Sequence, residues 1–163
     1  MLTKEDHRYI TELTDRGFVV LPTRCKFPKG IPGWQKVEST WEDMADWNRA
    51  TGYCIKTGHW SGVTVIDVDK PDREWFDKFW AQSGLKPTTT VETPSGGLHL
   101  YYKYDKRLKQ TQGFSGVAID IRNDRGVIVA PNSPYDTDKE CKKQFIGKRY
   151  KLVIGFDKMR ELD

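Results

Sequence analysis

The chain predicts an α+β fold, and three observations lead there. Most of its apolar runs are short, rich in β-branched residues and bounded by glycine or proline. Only three stretches suggest helices, too few to alternate with strands in a doubly wound sheet. The length of 163 residues suits one domain, or two small lobes around a shared core. A single domain over residues 1–163 is expected.

Thr3 to Asp6 reads as a capping box with Asp in place of the usual Glu or Gln; Ile10 and Leu13 recur at helical spacing, and Gly17 stops the helix. Residues 18–21 form a short apolar strand. Residues 24–33, with Pro28, Gly30, Pro32 and Gly33, form a loop. Thr40 caps a second short helix, with Asp43 three residues on. Residues 52–57 and 63–69 are strands joined by a glycine-bounded turn. A helix follows Asp72, with Trp75, Phe76, Phe79 and Trp80 as its core-facing stripe and Gly84 at its end. Residues 88–93 and 98–104 form a hairpin around Pro94 to Gly97. Residues 117–122 and 127–130 make a further strand pair. Residues 131–140 are polar loop, and 149–154 the last strand.

Hydrophobic residues make up 37% and charged residues 31%, so a soluble protein is expected; aromatics, at 12%, bury a large area each. The net charge of +4, from 27 basic and 23 acidic side chains, says less than its placement. Lys103, Lys106, Arg107 and Lys109 lie in one stretch, and Lys139, Lys142, Lys143, Lys148, Arg149 and Lys151 in another. Such runs are often plain solvated surface; they also suit a phosphate backbone. Cys25, Cys54 and Cys141 form no CxxC or Cys/His cluster, which argues against zinc and fits a reduced intracellular compartment. No apolar run is long enough to span a bilayer, and the start of the chain has no signal-peptide pattern. A cytoplasmic protein without membrane contact is expected.

The chemistry centres on Val-Thr-Val-Ile-Asp-Val-Asp at 63–69. Alternation in a strand puts Asp67 and Asp69 on one face with Val63 and Val65, and Thr64, Ile66 and Val68 on the other. Two carboxylates this close repel unless a cation lies between them, and a divalent metal is the simplest partner. Taken alone, the pair also reads as a strand end whose acids face water; Gly62 and Pro71 flank it, so its Asp end is expected at a sheet edge. In 93–102, Thr-Pro-Ser-Gly-Gly-Leu-His-Leu-Tyr-Tyr, the glycines leave backbone N–H groups suited to a phosphate, and His99 follows on the strand with Tyr101 on its face. In 117–122, Asp120 interrupts an apolar strand, with Arg122 on the same face. A buried carboxylate there needs a metal or an arginine, whereas a surface Asp120–Arg122 pair contributes little. His59, in the turn 56–62, reads as an exposed loop residue, and His7 has no chemical context. Three carboxylates, a histidine and an arginine on sheet faces match a two-metal phosphoryl or nucleotidyl transfer site, with Mg2+ or Mn2+ as the hard cations that oxygen ligands prefer.

The order of these segments, from Thr57-Gly and Ser61-Gly through Val65 to Asp69, Thr93 to Tyr102, Ile119 to Arg122 and Val127 to Ser133, resembles the primase–polymerase (prim-pol) domain of the archaeo-eukaryotic primase superfamily. Such domains stand at the N-terminus of bifunctional helicase-primases of phages, viruses and plasmids. Lys26, Pro28 and Gly33-Trp34-Gln35 fit the same pattern, and the resemblance covers roughly residues 18–152. It implies an RRM-like catalytic sheet packed with helices beside a smaller α/β lobe, with the active site in the cleft between them. It implies that Asp67, Asp69 and Asp120 bind two divalent ions, Mg2+ or Mn2+, and that His99 contacts the phosphates of an incoming NTP or dNTP. Arg122, Ser95, Gly96 and Gly97 join as triphosphate contacts, with Lys29 a weaker candidate. The implied partners are single-stranded or primed DNA and a replicative helicase in cis or trans, and the implied setting is the host cytoplasm. The basic stretches become DNA-backbone contacts, and an exposed tryptophan such as Trp60 a stacking surface for bases.

The chain departs from the pattern at two places. Gly97 stands where relatives often carry serine, and Arg122-Asn-Asp-Arg-Gly126 stands where they read Arg-x-x-Gly-Gly. Two other functions remain open at this point. One is a nucleotide-sugar glycosyltransferase, whose Asp-x-Asp motif also holds manganese. The other is a non-catalytic nucleic-acid-binding module.

Overall fold

A computed structural model describes residues 1–28, 30–41, 44–69, 73–84, 86–111, 119–135 and 142–162. The expectations for Lys29, Asp43, Val117, Lys139 and Cys141, and for the side chain of Phe79, lie outside the described residues.

Helix α1 (Lys4–Asp15) starts on the expected capping box. The Asp6 N–H donates to Thr3 Oγ1 at 3.1 Å, and the Thr3 N–H and hydroxyl both donate to Asp6 Oδ2 at 2.8 Å. Gly17, at φ 92°, ends the helix in the left-handed conformation that glycine tolerates best. The chain then builds β1 (Val20–Thr23), β2 (Gly52–Lys56), β3 (Val63–Val68), α2 (Arg73–Ser83), β4 (Thr89–Glu92), β5 (Leu98–Lys103), β6 (Ile119–Arg122), β7 (Val127–Val129) and β8 (Lys151–Ile154). Short 3-10 turns lie at Trp34–Lys36, Met44–Arg49, Lys143–Phe145 and Phe156–Lys158.

The strands form two antiparallel sheets, one ordered β1-β2-β7 and the other β6-β3-β5-β4-β8. The α+β expectation therefore holds. Strands β3 and β4 run parallel to each other with β5 between them, and α2 makes the crossover, a split β-α-β unit. Side-chain alternation gives the five-stranded sheet two apolar faces. Ile66, Val68, Leu98, Leu100, Tyr102 and Ile119 pack against Phe76 and Trp80 of α2. Val63, Val65, Val91 and Tyr101 face the other way. They join Ile10 and Leu13 of α1 with Val20, Tyr53, Ile55 and Ile128 of the small sheet in the main core. Lys56, fully buried, donates to the carbonyls of Gln35 and Val37 at 2.6 Å each, which ties the Trp34–Lys36 turn onto β2.

Several local expectations fail for identifiable reasons. The segments around Asp120 and Val127 are not a strand pair: β6 pairs with β3 and β7 with β2, so the chain changes sheets between them. Strand β3 is interior, with β5 and β6 on its two sides, and its Asp end opens into a cavity rather than at the sheet's side. Thr40, whose expected capping partners at 42 and 43 lie outside the described residues, bonds elsewhere. Its buried hydroxyl accepts from the Val20 N–H at 2.9 Å and from the Thr14 hydroxyl at 3.1 Å, stapling β1 to α1. Trp75 lies one residue off the sheet-facing stripe of Phe76 and Trp80 and is 54% exposed. Cys25 is disulfide-bonded, unlike the reduced thiol expected there, while Cys54 is a free, buried thiol. Among the described residues, no helix is long and apolar enough to cross a membrane.

Asp6 links the helix start to the far end of the chain. It is 1% exposed, and Arg149 Nη1 lies 2.6 Å from its Oδ1. Burial pulls its carboxyl upward, but the Arg149 guanidinium and the two Thr3 donors outweigh that and leave its pKa below the ordinary value. A depressed carboxylate stabilises the fold above its unfolded pKa, and that stability is lost as pH falls through the folded value. Asp6→Ala is therefore expected to lower unfolding free energy by roughly 2 kcal/mol in urea titrations at neutral pH. Asp6→Asn is expected to flatten the acid limb of stability below about pH 4. An acid limb as steep as that of the unmodified chain would rule this role out.

Candidate active site

The sheet register brings the predicted residues together. Asp67 on β3 stands directly opposite His99 on β5 and opposite Asp120 on β6, so the three side chains form a row on one face. It is the face that carries Val63 and Val65, which buries the row's flank against the small sheet. At Asp67 the apolar alternation ends, and the space between the sheets opens into a cavity of about 450 Å3. Asp67, Asp69, His99 and Arg122 wall one side of it. Lys26, Phe27 and Trp34 from the loop after β1, together with the residues of β7, wall the other.

Asp67 and Asp120 are each 19% exposed, whereas Asp69, one residue beyond β3, is exposed. A single guanidinium nitrogen, Arg122 Nη2, lies 3.1 Å from Asp120 Oδ2 and 3.4 Å from Asp67 Oδ2. Arg122 thus reaches across to both acids and is more than a surface partner for Asp120. Partial desolvation raises the Asp69 carboxyl above its ordinary pKa. The Asp67 and Asp120 charges add to the rise, and Lys26 and Arg122 oppose it. Among the described residues no group of three ligands is gathered around one point, and the Arg122 guanidinium lies between two of the acids.

His99 is 4% exposed, and its Nε2 is 3.6 Å from Asp67 Oδ1. Burial lowers its pKa more than Asp67 raises it, so the ring is neutral at neutral pH. Its Nδ1 has no hydrogen-bond partner among the described residues. The Tyr150 ring stacks on it with centroids 5.6 Å apart at 28° and reaches the same cavity.

The hairpin tip departs from expectation. Its amides are not bare: the Gly96 N–H donates to the Thr93 carbonyl, and the Gly97 N–H to Thr93 Oγ1, both at 2.9 Å. Thr93 and Ser95 line the cavity. Gly97 is buried against β3, where a Cβ would collide with the Val68 carbonyl oxygen and stand 3.4 Å from the Asp69 Cα. Its glycine is thus a packing requirement that lets the tip buttress the strand end bearing Asp69.

Several residues of the site escaped sequence reasoning as chemistry. Lys26 and Tyr150 line the cavity, as does Gln110, whose Oε1 accepts the Asn123 N–H at 2.8 Å; Arg125, marked in the sequence for phosphate or sugar contacts by its departure from the family pattern, lines it too. Arg125 is exposed at φ 67°, and its neighbour Asp124 is held by His59 Nδ1 at 2.6 Å and the Tyr104 hydroxyl at 2.7 Å. Among the described residues, neither basic stretch lines the cavity; Arg107 pairs with Asp105 and Arg149 with Asp6. Trp60 is only half-exposed, its ring 4.5 Å from that of His59 and 3.9 Å from Lys56 Nζ.

Fold and site together define an α+β protein with an acidic, cation-flanked pocket between two antiparallel sheets, suited to phosphate chemistry. The chain belongs to the family described as bifunctional DNA primase/polymerase, N-terminal (Prim-Pol), whose pattern it matches over residues 10–152. This is a family of DNA primases and polymerases, enzymes of the nucleotidyltransferase type that act on DNA and nucleotides and in general use divalent metals. No curated protein matches the chain.

Gly97→Ala forces the hairpin tip off the Val68 carbonyl. An expected loss of about 1–3 kcal/mol in chemical denaturation follows from overpacking of this kind. An unchanged midpoint would return Gly97 to the list of purely ligand-facing residues.

Proposed function

We propose that residues 1–163 act as one catalytic domain that joins an NTP or dNTP to a primer or initiating nucleotide on a DNA template. The observation that supports this best is the register row of Asp120, Asp67 and His99, of which Asp67 and His99 line a pocket that also holds Lys26, Arg122 and Arg125. The split β-α-β core with β6 added beside β3 agrees with an RRM-like catalytic sheet. The small β1-β2-β7 sheet is then the second lobe and the pocket between them the active-site cleft.

In the reaction, the 3′-hydroxyl oxygen bonds to the α-phosphorus in line with the bond to the bridging oxygen. That bond breaks, pyrophosphate leaves, and the hydroxyl proton passes to solvent. Asp67, Asp69 and Asp120 supply hard oxygen donors, a set that fits Mg2+ or Mn2+ once Arg122 has moved aside. Two such ions, when bound, lower the pKa of the attacking hydroxyl and stabilise charge on the transferring phosphate. Lys26, Arg122 and Arg125 neutralise the triphosphate across the pocket. His99, held neutral by burial and stacked on Tyr150, hydrogen-bonds a phosphate oxygen without adding charge. Ser95 reaches the same pocket from the hairpin tip. Gly96 and Gly97 shape that tip; their amide hydrogens are already engaged by Thr93. The setting is replication in a host cytoplasm beside a helicase in cis or trans.

A nucleotide-sugar transferase accounts for Asp67 and Asp69 but leaves Asp120, His99 and the family membership unexplained. A binding module without catalysis leaves the clustering of the acids without a purpose.

The double variant Asp67→Ala, Asp69→Ala is expected to lose nucleotide incorporation by roughly a thousandfold or more on primed single-stranded DNA with Mn2+. Its circular dichroism should be unchanged. A folded double variant that extends primers at full rate would sink the proposal.

A further inference from the structure

We propose, building on the metal-dependent reading above, that Arg122 is an internal cation for the ion-free site. It holds Asp67 and Asp120 together, is displaced when divalent ions bind, and only then turns to the triphosphate.

Three observations lead to this. First, one nitrogen of Arg122 bridges carboxylates on two neighbouring strands, occupying the gap that a shared cation would take. Second, the contacts are loose. At 3.1 and 3.4 Å they exceed the 2.7–2.9 Å or so of strong charge-assisted hydrogen bonds, so they neutralise the acids without locking them. Third, the side chain is free to leave without backbone movement. Arg122 is 24% exposed, stands at the end of β6 and borders the open cavity, where changes of side-chain rotamer move its head by several ångströms.

The charge balance makes the exchange useful. Three carboxylates stand near Lys26 and Arg122, with Arg125 at the pocket rim, so without ions the protein's own cations offset the acids. Divalent ions at the acids would leave the guanidinium among cations. Repulsion then drives it toward the one strong anion that arrives next, the triphosphate. Ion binding and nucleotide binding are thereby coupled through one side chain.

The test is Mn2+ binding to the whole chain without nucleotide, read from the electron paramagnetic resonance signal of free Mn2+. Arg122→Gln is expected to bind Mn2+ roughly fivefold more tightly than the unmodified chain, since a competing cation has gone. Arg125→Gln removes an equal charge from the same pocket but touches neither acid, and should change affinity by less than about twofold. A gain confined to Arg122→Gln supports the exchange. No gain there, or an equal gain in Arg125→Gln, overturns it while leaving the metal-dependent reading intact. Absence of Mn2+ binding in all three proteins overturns both. Should Arg122→Gln fail to fold, the 15N-labelled Arg122 Nε–H resonance of the unmodified chain decides. It is expected to shift on saturation with Mg2+, and a resonance that stays in place overturns the proposal.

Discussion

The organising constraint is the gathering of like charge on one face of an interior strand. Asp67 and Asp120 face each other across adjacent strands, Asp69 follows two residues on, and all three lie where the core between the sheets gives out. Carboxylates in that position are costly to desolvate and repel one another. The protein offsets the cost by placing each beside a cation or at the cavity mouth. Asp69 keeps a raised pKa, chiefly from partial desolvation and then from the Asp67 charge, with Lys26 and Arg122 opposing the rise.

The two sheets are held in register with the site by a short piece of chain. Between β6 and β7 the backbone passes from one sheet to the other through Asn123 to Gly126. Asn123 is fully buried and donates from Nδ2 to the carbonyls of Asp105 and Leu108, while Thr64 donates to its Oδ1. The Thr57 hydroxyl donates to the Asn123 carbonyl at 2.6 Å, and the Thr57 N–H to that of Gly126 at 3.0 Å. A buried network with every partner met is rigid, and a pocket whose walls come from both sheets needs that rigidity. The same turn places Arg122 at its start and Arg125 within it, so both arginines of the pocket grow from this tied segment.

Legibility in the sequence follows the range of the interaction. The alternation of Val63, Val65 and Asp67 is local, and it told which face the acids share. Asp120 was legible as a charge inside an apolar strand, because burial without a partner is improbable. What failed was pairing. The polar run from Asn123 to Gly126 has the composition of a hairpin turn, and nothing local says that Val127 will find β2 rather than return along β6. Gly97 misled for a related reason: a glycine that spares the Val68 carbonyl looks, in sequence, like one that bares its amide to a phosphate. Tyr150 and Lys26 went unread as chemistry because their roles exist only once distant strands meet.

His99 shows how those distant meetings set the chemistry. A histidine beside three acids on an open surface would be drawn to a protonated state by their charge. Here the Tyr150 ring covers it, β5 lies in the sheet interior, and desolvation overrides the pull of Asp67. The ring stays neutral, so the positive charge of the pocket rests on Lys26, Arg122 and Arg125. Of these, Arg122 already lies against the acids and Arg125 stands at the exposed rim. A fixed imidazolium next to Asp67 would compete permanently with any cation for that carboxylate. An arginine on a long side chain competes only until it is displaced. Burial of His99 therefore leaves Asp67 without a fixed charged partner on β5.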